Sequence, residues 1–321
     1  MSEKVPERIV VSGATGFLGG HLCAHLVAQG FDVLGLGRDA SKGAALSCAF
    51  EAVDLAETPS LTTLQTADVF VHAAALSSAW GPRVAFERAN VTGTRHALAM
   101  AHKLGVRRFV FISSPSVYFR FRDQLHLSED TLLPKPVNAY AATKVAAETL
   151  VRASGLDAII LRPRGLYGPG DTALLPRLIR AAARPIPLPR GGKAVTDLTF
   201  VADVVRAIVA AMTAPPDCAG RTYNISGGEA LAIGDIITAA AQAAGIRARF
   251  TPMPAVVVLA SARLAEGVAR LTPGQPEPVI TAYGAGILAY SQTLDISRAG
   301  DELGFVPEVR FADGLKRTFA A

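Results

Sequence analysis

Along the first half of the chain, short aliphatic and β-branched runs alternate with longer segments whose apolar residues recur at helical spacing. Strand-like runs fall at 8–11, 32–36, 48–53, 67–71, 107–112 and 158–161. Helices are expected at 17–29, over a short stretch after 36, at 83–104 and at 139–153. The strand-like runs are apolar at consecutive positions, as strands covered on both faces are, and strand–helix–strand repetition predicts a doubly wound parallel sheet of class α/β. After 161 the rhythm breaks at Pro163, Gly165, Gly168, Pro169 and Gly170, and again in the proline-rich stretch 185–189. A smaller second lobe is expected to start there. Segments 199–212 and 221–225 are regular enough to return to the sheet, so the lobes interleave: residues 1–165 with 197–227 form the sheet domain, and 166–196 with 228–321 the C-terminal lobe. Residues 254–271 read as a helix apolar nearly all round, which must be buried, lie on a membrane surface or line an apolar pocket.

The first strand runs into Ser12-Gly13-Ala14-Thr15-Gly16-Phe17-Leu18-Gly19, and a helix opens inside it. Gly13 permits a tight turn, Gly16 lets the backbone approach a pyrophosphate, and Gly19 lets helix and strand pack closely. The helix N-terminus supplies free N–H donors to the anion. In this context the glycines predict a Rossmann-type dinucleotide site. At the end of the second strand, where a carboxylate would bind the adenosine ribose of NAD, the chain reads Gly37-Arg38-Asp39. Arg38 offers a guanidinium to a 2′-phosphate, so NADP(H) is the preferred cofactor and NAD(H) remains possible, with Asp39 then taking the ribose. Asp54-Leu55, after the third strand, either lies beside the adenine or forms a turn.

Composition narrows the class further. Half of the 321 residues are hydrophobic and only 7% aromatic, which suits aliphatic layers on a sheet. The net charge of +5 is scattered, with no basic run, so no nucleic-acid partner is expected. Three cysteines without a CxxC pair fit a reducing compartment and argue against a thiolate metal site. The N-terminus lacks the apolar stretch of a secretory signal, and no run is long enough to span a membrane, so a cytoplasmic location is expected. His21 and His25 have metal-pair spacing but no third ligand, so no metal is expected, and His72 reads as a strand-end packing residue.

Tyr140 and Lys144 are four residues apart behind Asn138, a helix N-cap, and therefore share a helix face. That spacing suits a phenol activated by an ammonium, although exchange near neutrality asks for a downward shift of about 3 pH units from the ordinary phenol value. Ser113-Ser114-Pro115-Ser116-Val117-Tyr118 follows the fifth strand, at the sheet edge where ligands bind, and a hydroxyl there can hold a carbonyl oxygen.

Through these residues and others, the whole chain resembles the extended short-chain dehydrogenase/reductase family. The matching residues are the Gly13, Gly16, Gly19 loop, Asp54-Leu55, His72-Ala73-Ala74-Ala75, Asn90, Ser114, Tyr140, Lys144 and Arg162-Pro163-Arg164-Gly165-Leu166-Tyr167-Gly168-Pro169. The resemblance implies that Ser114 holds the substrate oxygen, Tyr140 is the general acid or base, and Lys144 also binds the nicotinamide ribose. It also implies that the backbone of Pro163, Gly165 and Leu166 orients the carboxamide. Thr15, Phe17, Leu18, Ala73, Ala74, Ala75 and Asn90 would complete the cofactor site, and a homodimer would form through 83–104 and the Tyr140 helix, with Ala141, Ala142, Ala146 and Ala147 allowing close approach.

Departures from the sugar-nucleotide enzymes of that family point to its 3β-hydroxysteroid dehydrogenase and 2-alkyl-3-oxoalkanoate reductase branch. Gly165 stands where those enzymes carry a pyrophosphate-binding Asn, Thr196 where they carry an Arg before Asp197, and Pro115-Ser116 where dehydratases carry an acidic pair. The expected activity is hydride transfer between nicotinamide and a small apolar carbonyl or alcohol, a β-keto acid or a sterol-like compound. Nucleotide-sugar epimerisation with tightly bound NAD and a non-catalytic NADP(H)-sensing role remain the alternatives.

Overall fold

The computed structural model describes residues 8–57 and 66–320. Residues 1–4, on which the expectation about a secretory signal rests, lie outside them. Strands β1 (Arg8–Ser12), β2 (Asp32–Gly37), β3 (Ala49–Ala52), β4 (Val69–His72) and β5 (Arg108–Ile112) join two later strands, Asp157–Pro163 and Thr222–Ile225, in one sheet. Its order is Thr222–Ile225, Asp157–Pro163, β5, β4, β1, β2, β3, and every pair is parallel. The order reverses between β1 and β4, and a crevice opens there at the carboxyl edge. All six strands read in the first 162 residues are present, and 222–225 returns to the sheet as expected.

The consecutive apolar positions of each strand feed two different cores. Ile9, Val11, Val33, Val71 and Val110 meet Leu22, Cys23 and Leu26 of the helix Phe17–Ala28 on one face. Val10, Leu34, Phe70, Phe109 and Ile160 meet Ala97 and Ala101 of the helix Gly93–Lys103, with Ala147 and Val151 of Ala139–Arg152, on the other. The 199–212 segment differs from expectation. Only Thr199–Phe200 is extended, pairing with Leu166–Tyr167 outside the central sheet, and Val201–Met212 is a helix. Val201, Val204, Val205, Ile208 and Met212 recur at helical spacing, and they cover the first face of the sheet.

Two further expectations need correction. The helix Ala255–Leu271 is not buried throughout, and none of its residues lines the cavity beside Ser114. It packs Val258, Leu259 and Ala262 against Ala285 and exposes Val256, Leu264, Val268 and Leu271, because only one stripe of an all-round apolar helix can face a neighbour on a lobe surface. Of the four alanines expected at a dimer interface, Ala141 and Ala147 are completely buried inside the chain, Ala147 against the sheet, so only Ala142 and Ala146 are left partly exposed.

Within the long helical stretch 83–103, residues Glu87–Thr92 form a π turn, and the extra residue per turn carries Asn90 inward to 2% exposure. Beneath the sheet edge lies a buried ionic knot. Glu148, on the Tyr140 helix, accepts hydrogen bonds from Arg162 Nε at 2.8 Å, Arg162 Nη2 at 2.5 Å, Ser113 Oγ at 2.6 Å and Arg152 Nη2 at 3.0 Å. Arg162 also donates to the Tyr118 hydroxyl, which donates to Asn224 Oδ1 at 3.0 Å. Burial alone would raise the Glu148 carboxyl, but the Arg162 hydrogen bonds and charge outweigh it and hold the group below its ordinary value. Glu148→Ala would strand the Arg162 charge, so it should lower unfolding free energy by about 3–5 kcal/mol in urea titrations, while Glu148→Met with Arg162→Met should cost much less than the sum of the single changes.

Candidate functional site

At the end of β1 the backbone turns so tightly that side chains have no room. Gly13 has φ +75°, and a Cβ there would sit 2.7 Å from Ala74 N. A Cβ on Gly19 would meet Gly13 O at 2.1 Å. The helix N-cap at Gly16 has no side-chain capping bond, so the first N–H groups of Phe17–Ala28 are left for an anion. These features fit a dinucleotide pyrophosphate. Ala73 and Ala74 wall the same turn, Ala73 N donating to Ser12 O at 3.2 Å.

Across the crevice, Thr15, Arg38, Asp39, Ala40 and Lys42 line one cleft. A side chain at Gly37 would meet Thr15 Oγ1 at 2.9 Å, so a ribose-binding carboxylate cannot replace that glycine without displacement. The Asp39 carboxylate accepts from Ser41 N and Lys42 N, both at 3.1 Å, and from Ser41 Oγ at 2.6 Å, capping the short helix Ala40–Gly43. Sequence reasoning missed Lys42, a second cation in the cleft; the short helix expected after 36 is present as Ala40–Gly43, but nothing local says which of its side chains face the cleft. Asp54 Oδ1 accepts from Ala56 N at 2.9 Å in a turn, and Leu55 O lies 2.8 Å from His96 Nδ1.

Asn138 caps the helix Ala139–Arg152 as expected, accepting from Ala141 N at 2.8 Å. The Tyr140 hydroxyl is hydrogen bonded to the side chains of Ser114 and Ser77. Ser113 is instead engaged by Glu148, which separates the two neighbouring serines, and Ser116 Oγ is buried without a hydrogen-bond partner. Lys144 Nζ donates to Ile112 O at 2.6 Å over the Phe111 ring, and burial pulls its pKa down to about 8. The expected downward shift of the phenol is not what the protein alone produces. Burial raises Tyr140, and the Ser114 and Ser77 hydrogen bonds only partly oppose it, so the hydroxyl keeps its proton at neutral pH.

Asn90 is committed to the scaffold. Its Oδ1 accepts from Leu76 N at 2.7 Å, and its Nδ2 donates to Leu76 O at 3.2 Å and Thr143 Oγ1 at 3.0 Å, tying the Ala75 loop to the Tyr140 helix. His72 is likewise held, its Nδ1 2.6 Å from Ser12 Oγ and its Nε2 3.0 Å from Thr94 Oγ1. His21 Nε2 lies 2.8 Å from Pro169 O. Trp80 Nε1 donates to Gln275 O at 2.9 Å, with Arg270 over its ring, so it anchors a loop.

Beyond Ser114 a cavity of about 190 Å³ opens between the sheet edge and the second lobe. Ser114, Ser116, Pro163, Arg164, Gly165, Thr196 and Tyr283 line its floor. Its wall is apolar, drawn from helices Leu174–Ala182, Ile233–Ala243 and Ala282–Ala289. Tyr283 escaped the sequence reading because the groups it faces, Arg164 and Tyr140, come from distant segments.

A parallel sheet reversing at a glycine cradle, with a buried Tyr–Lys helix beside it, defines a dinucleotide-binding enzyme of the short-chain dehydrogenase/reductase type. The chain belongs to the NAD dependent epimerase/dehydratase family, whose model matches residues 9–226. It is 32% identical over 323 residues to the 4-hydroxy-2-methyl-3-oxo-4-farnesyl-3,4-dihydroquinoline-1-oxide ketoreductase of Stigmatella aurantiaca, covering 96% of this chain and 94% of that one. It is 30% identical over 331 residues to the 2-alkyl-3-oxoalkanoate reductase of Stenotrophomonas maltophilia, covering 98% and 99%. Among solved structures, UDP-glucuronic acid 4-epimerase from Bacillus cereus in complex with NAD superposes with a TM-score of 0.76 at 26% identity, covering 98% and 97%. Among the described residues, no helix is long and apolar enough to cross a membrane.

His72 supplies a pH signature for this part of the fold. Burial, with Lys144 nearby, lowers its pKa from 6.5 to about 3, so between those values the unfolded chain binds more protons than the folded one. Stability contributed by neutral His72 is complete above pH 6.5 and lost as pH falls toward 3, by up to about 1.4 kcal/mol per pH unit. His72→Gln should therefore flatten the decline of the urea midpoint between neutral and mildly acidic pH; a decline as steep as wild type would disprove the assignment.

Proposed function

We propose that the chain is an NADP(H)-dependent oxidoreductase acting on a ketone or secondary alcohol of an apolar substrate, a β-keto acid or sterol-like compound, through Ser114, Tyr140 and Lys144. The observation that carries this reading is the Tyr140 hydroxyl beside Ser114, which itself lines a cavity walled by aliphatic side chains. When bound, the nicotinamide dinucleotide supplies or accepts the hydride. Gly13, Thr15, Gly16, Phe17, Leu18 and Gly19 would hold its pyrophosphate, Ala73, Ala74 and Ala75 would flank it, and Lys144 would bind its ribose. Pro163, Gly165 and Leu166 would orient its carboxamide. Ser114 donates a hydrogen bond to the substrate oxygen, and Tyr140, protonated at neutral pH, delivers the proton to it, which suits the reductive direction. Asn90 acts through the Ala75 loop it braces. In this reading residues 1–165 with 197–227 bind the cofactor, the remaining lobe binds substrate, and two copies associate as a homodimer.

Arg38 lines that cleft, while the Asp39 carboxylate is engaged in helix capping and lies 3.8 Å from Lys42 Nζ, which favours NADP(H). Arg38→Ala should reduce the NADPH-over-NADH affinity ratio about ten- to hundredfold, the worth of one charged hydrogen bond. An unchanged ratio in fluorescence titration removes this part of the reading.

Nucleotide-sugar epimerisation, the activity named for the structural neighbour, is the second reading. A series of ketones with lengthening alkyl chains separates the two: kcat/KM should rise nearly fourfold per methylene, about 0.8 kcal/mol each, until the cavity is full. Tyr140→Phe should abolish that turnover while keeping NADPH affinity. A flat series, or faster turnover of a UDP-sugar, selects the epimerase instead.

A further inference from the structure

Two arginines stand two residues apart where the strand Asp157–Pro163 ends, and only one is neutralised by a direct ion pair. Arg162 is locked to Glu148. Arg164, 7% exposed, donates through Nε and Nη2 to Thr196 Oγ1, at 3.0 and 2.7 Å, and through Nη1 to Gln292 Oε1. Both partners are neutral. A guanidinium has five N–H groups, so two remain beyond these three bonds. The carboxylate whose charge acts on it is Asp197, and an Asp197 oxygen accepts from Leu294 N at 2.7 Å. A desolvated cation without a hydrogen-bonded anion is costly, and this one lines the substrate cavity.

Its surroundings define the missing partner. Ser116 Oγ, buried and unpartnered, lines the same floor, and Tyr283 lies where the charges of both Arg164 and Tyr140 act on it. Ser114 follows β5 and Arg164 follows the neighbouring strand, and both line the same cavity, so an oxygen held by Ser114 and a carboxylate held by Arg164 can belong to one small molecule. The wall of Leu174, Leu178, Ile233, Ile236 and Ile287 accepts alkyl carbon and offers nothing to a diphosphate.

We propose that Arg164 is a substrate-binding residue that holds the carboxylate of a 3-oxo acid, or of the corresponding 3-hydroxy acid in the oxidative direction, and so makes the enzyme selective for acids over neutral ketones. The assignment rests on the oxidoreductase reading above. In reduction the carbonyl carbon gains hydride from the reduced nicotinamide dinucleotide, the C=O π bond breaks onto oxygen, and that oxygen takes the Tyr140 proton. The carboxylate on Arg164 is unchanged.

The test compares 3-hydroxydecanoate with its methyl ester and with 2-nonanol, the same carbon chain lacking the carboxylate, in wild type, Arg164→Gln and Arg164→Lys. Calorimetric binding of decanoate and decanol is measured alongside. Wild type should prefer the acid about ten- to hundredfold in kcat/KM and bind decanoate more tightly than decanol. Arg164→Gln should bring both ratios near one, and Arg164→Lys should keep part of each. Wild type oxidising ester or 2-nonanol as well as the acid overturns the assignment, as does an acid preference that survives in Arg164→Gln. Should no alcohol be oxidised, the oxidoreductase reading fails, and decanoate binding still decides Arg164: affinity no better than that of decanol overturns it. Should Arg164→Gln not fold, the wild-type comparison and Arg164→Lys carry the decision.

Discussion

The fold of the candidate site depends on one buried ion pair. Glu148 and Arg162 are 0% and 2% exposed, and around them converge the Tyr140 helix, the end of β5 through Ser113, the strand Asp157–Pro163, and through Tyr118 and Asn224 the strand Thr222–Ile225. A helix resting on a sheet by aliphatic contacts alone can slide, because those contacts have little direction. A bidentate guanidinium–carboxylate pair has a required geometry. It fixes the rotation of Ala139–Arg152, and with it the placement of Tyr140 two turns before Glu148 and of Lys144 one turn before it.

Burial then dominates the titration of Tyr140, Lys144 and His72, though not of the Glu148–Arg162 pair itself. It raises the Tyr140 phenol, lowers Lys144 to about 8 and lowers His72 to about 3. The crevice is consequently poor in net charge of its own, with Tyr140 protonated and His72 neutral at pH 7. A bound dinucleotide would bring some of the largest charges in the site, and the glycine cradle and the helix N-terminus meet its phosphates without side-chain cations. Cations are placed at the far end instead, at Arg38 and Lys42.

Most of the sheet could be read from the sequence because its information is local. Consecutive apolar runs mark β1 to β5, the glycines of 13–19 occupy positions where a Cβ would collide with backbone, and Asn138, Tyr140 and Lys144 sit within seven residues of one another. What failed was decided by tertiary surroundings. The helix Ala255–Leu271 is apolar nearly all round, and a sequence does not say which stripe finds a neighbour. Ala141 and Ala147 have the small side chains an interface needs, but the same property suits them to packing inside the chain. The downward phenol shift was expected from Lys144 and a nicotinamide ring acting together, whereas the burial that raises the phenol in the protein alone has no local signal in the sequence.

The two arginines at the end of the strand Asp157–Pro163 show the same limit at a single residue type. Nothing local separates Arg162 from Arg164, since both flank Pro163 in one short stretch. Their difference arises from segments far away: Glu148 reaches one, and Thr196 and Gln292 reach the other. Gly165, at φ +52° with Leu198 where a side chain would stand, turns the chain directly after Arg164 and leaves the guanidinium against the cavity. The sheet edge thus carries a fixed half, in which polar groups are satisfied within the protein, and an open half, in which Ser116 and Arg164 keep bonding capacity. In a parallel-sheet enzyme such residues sit on the loops after the strands, where they can change without disturbing the ladder. In the proposed reading, chemistry falls to residues on the helix and strand ends fixed by the Glu148 knot, and choice of substrate to the residues just beyond it.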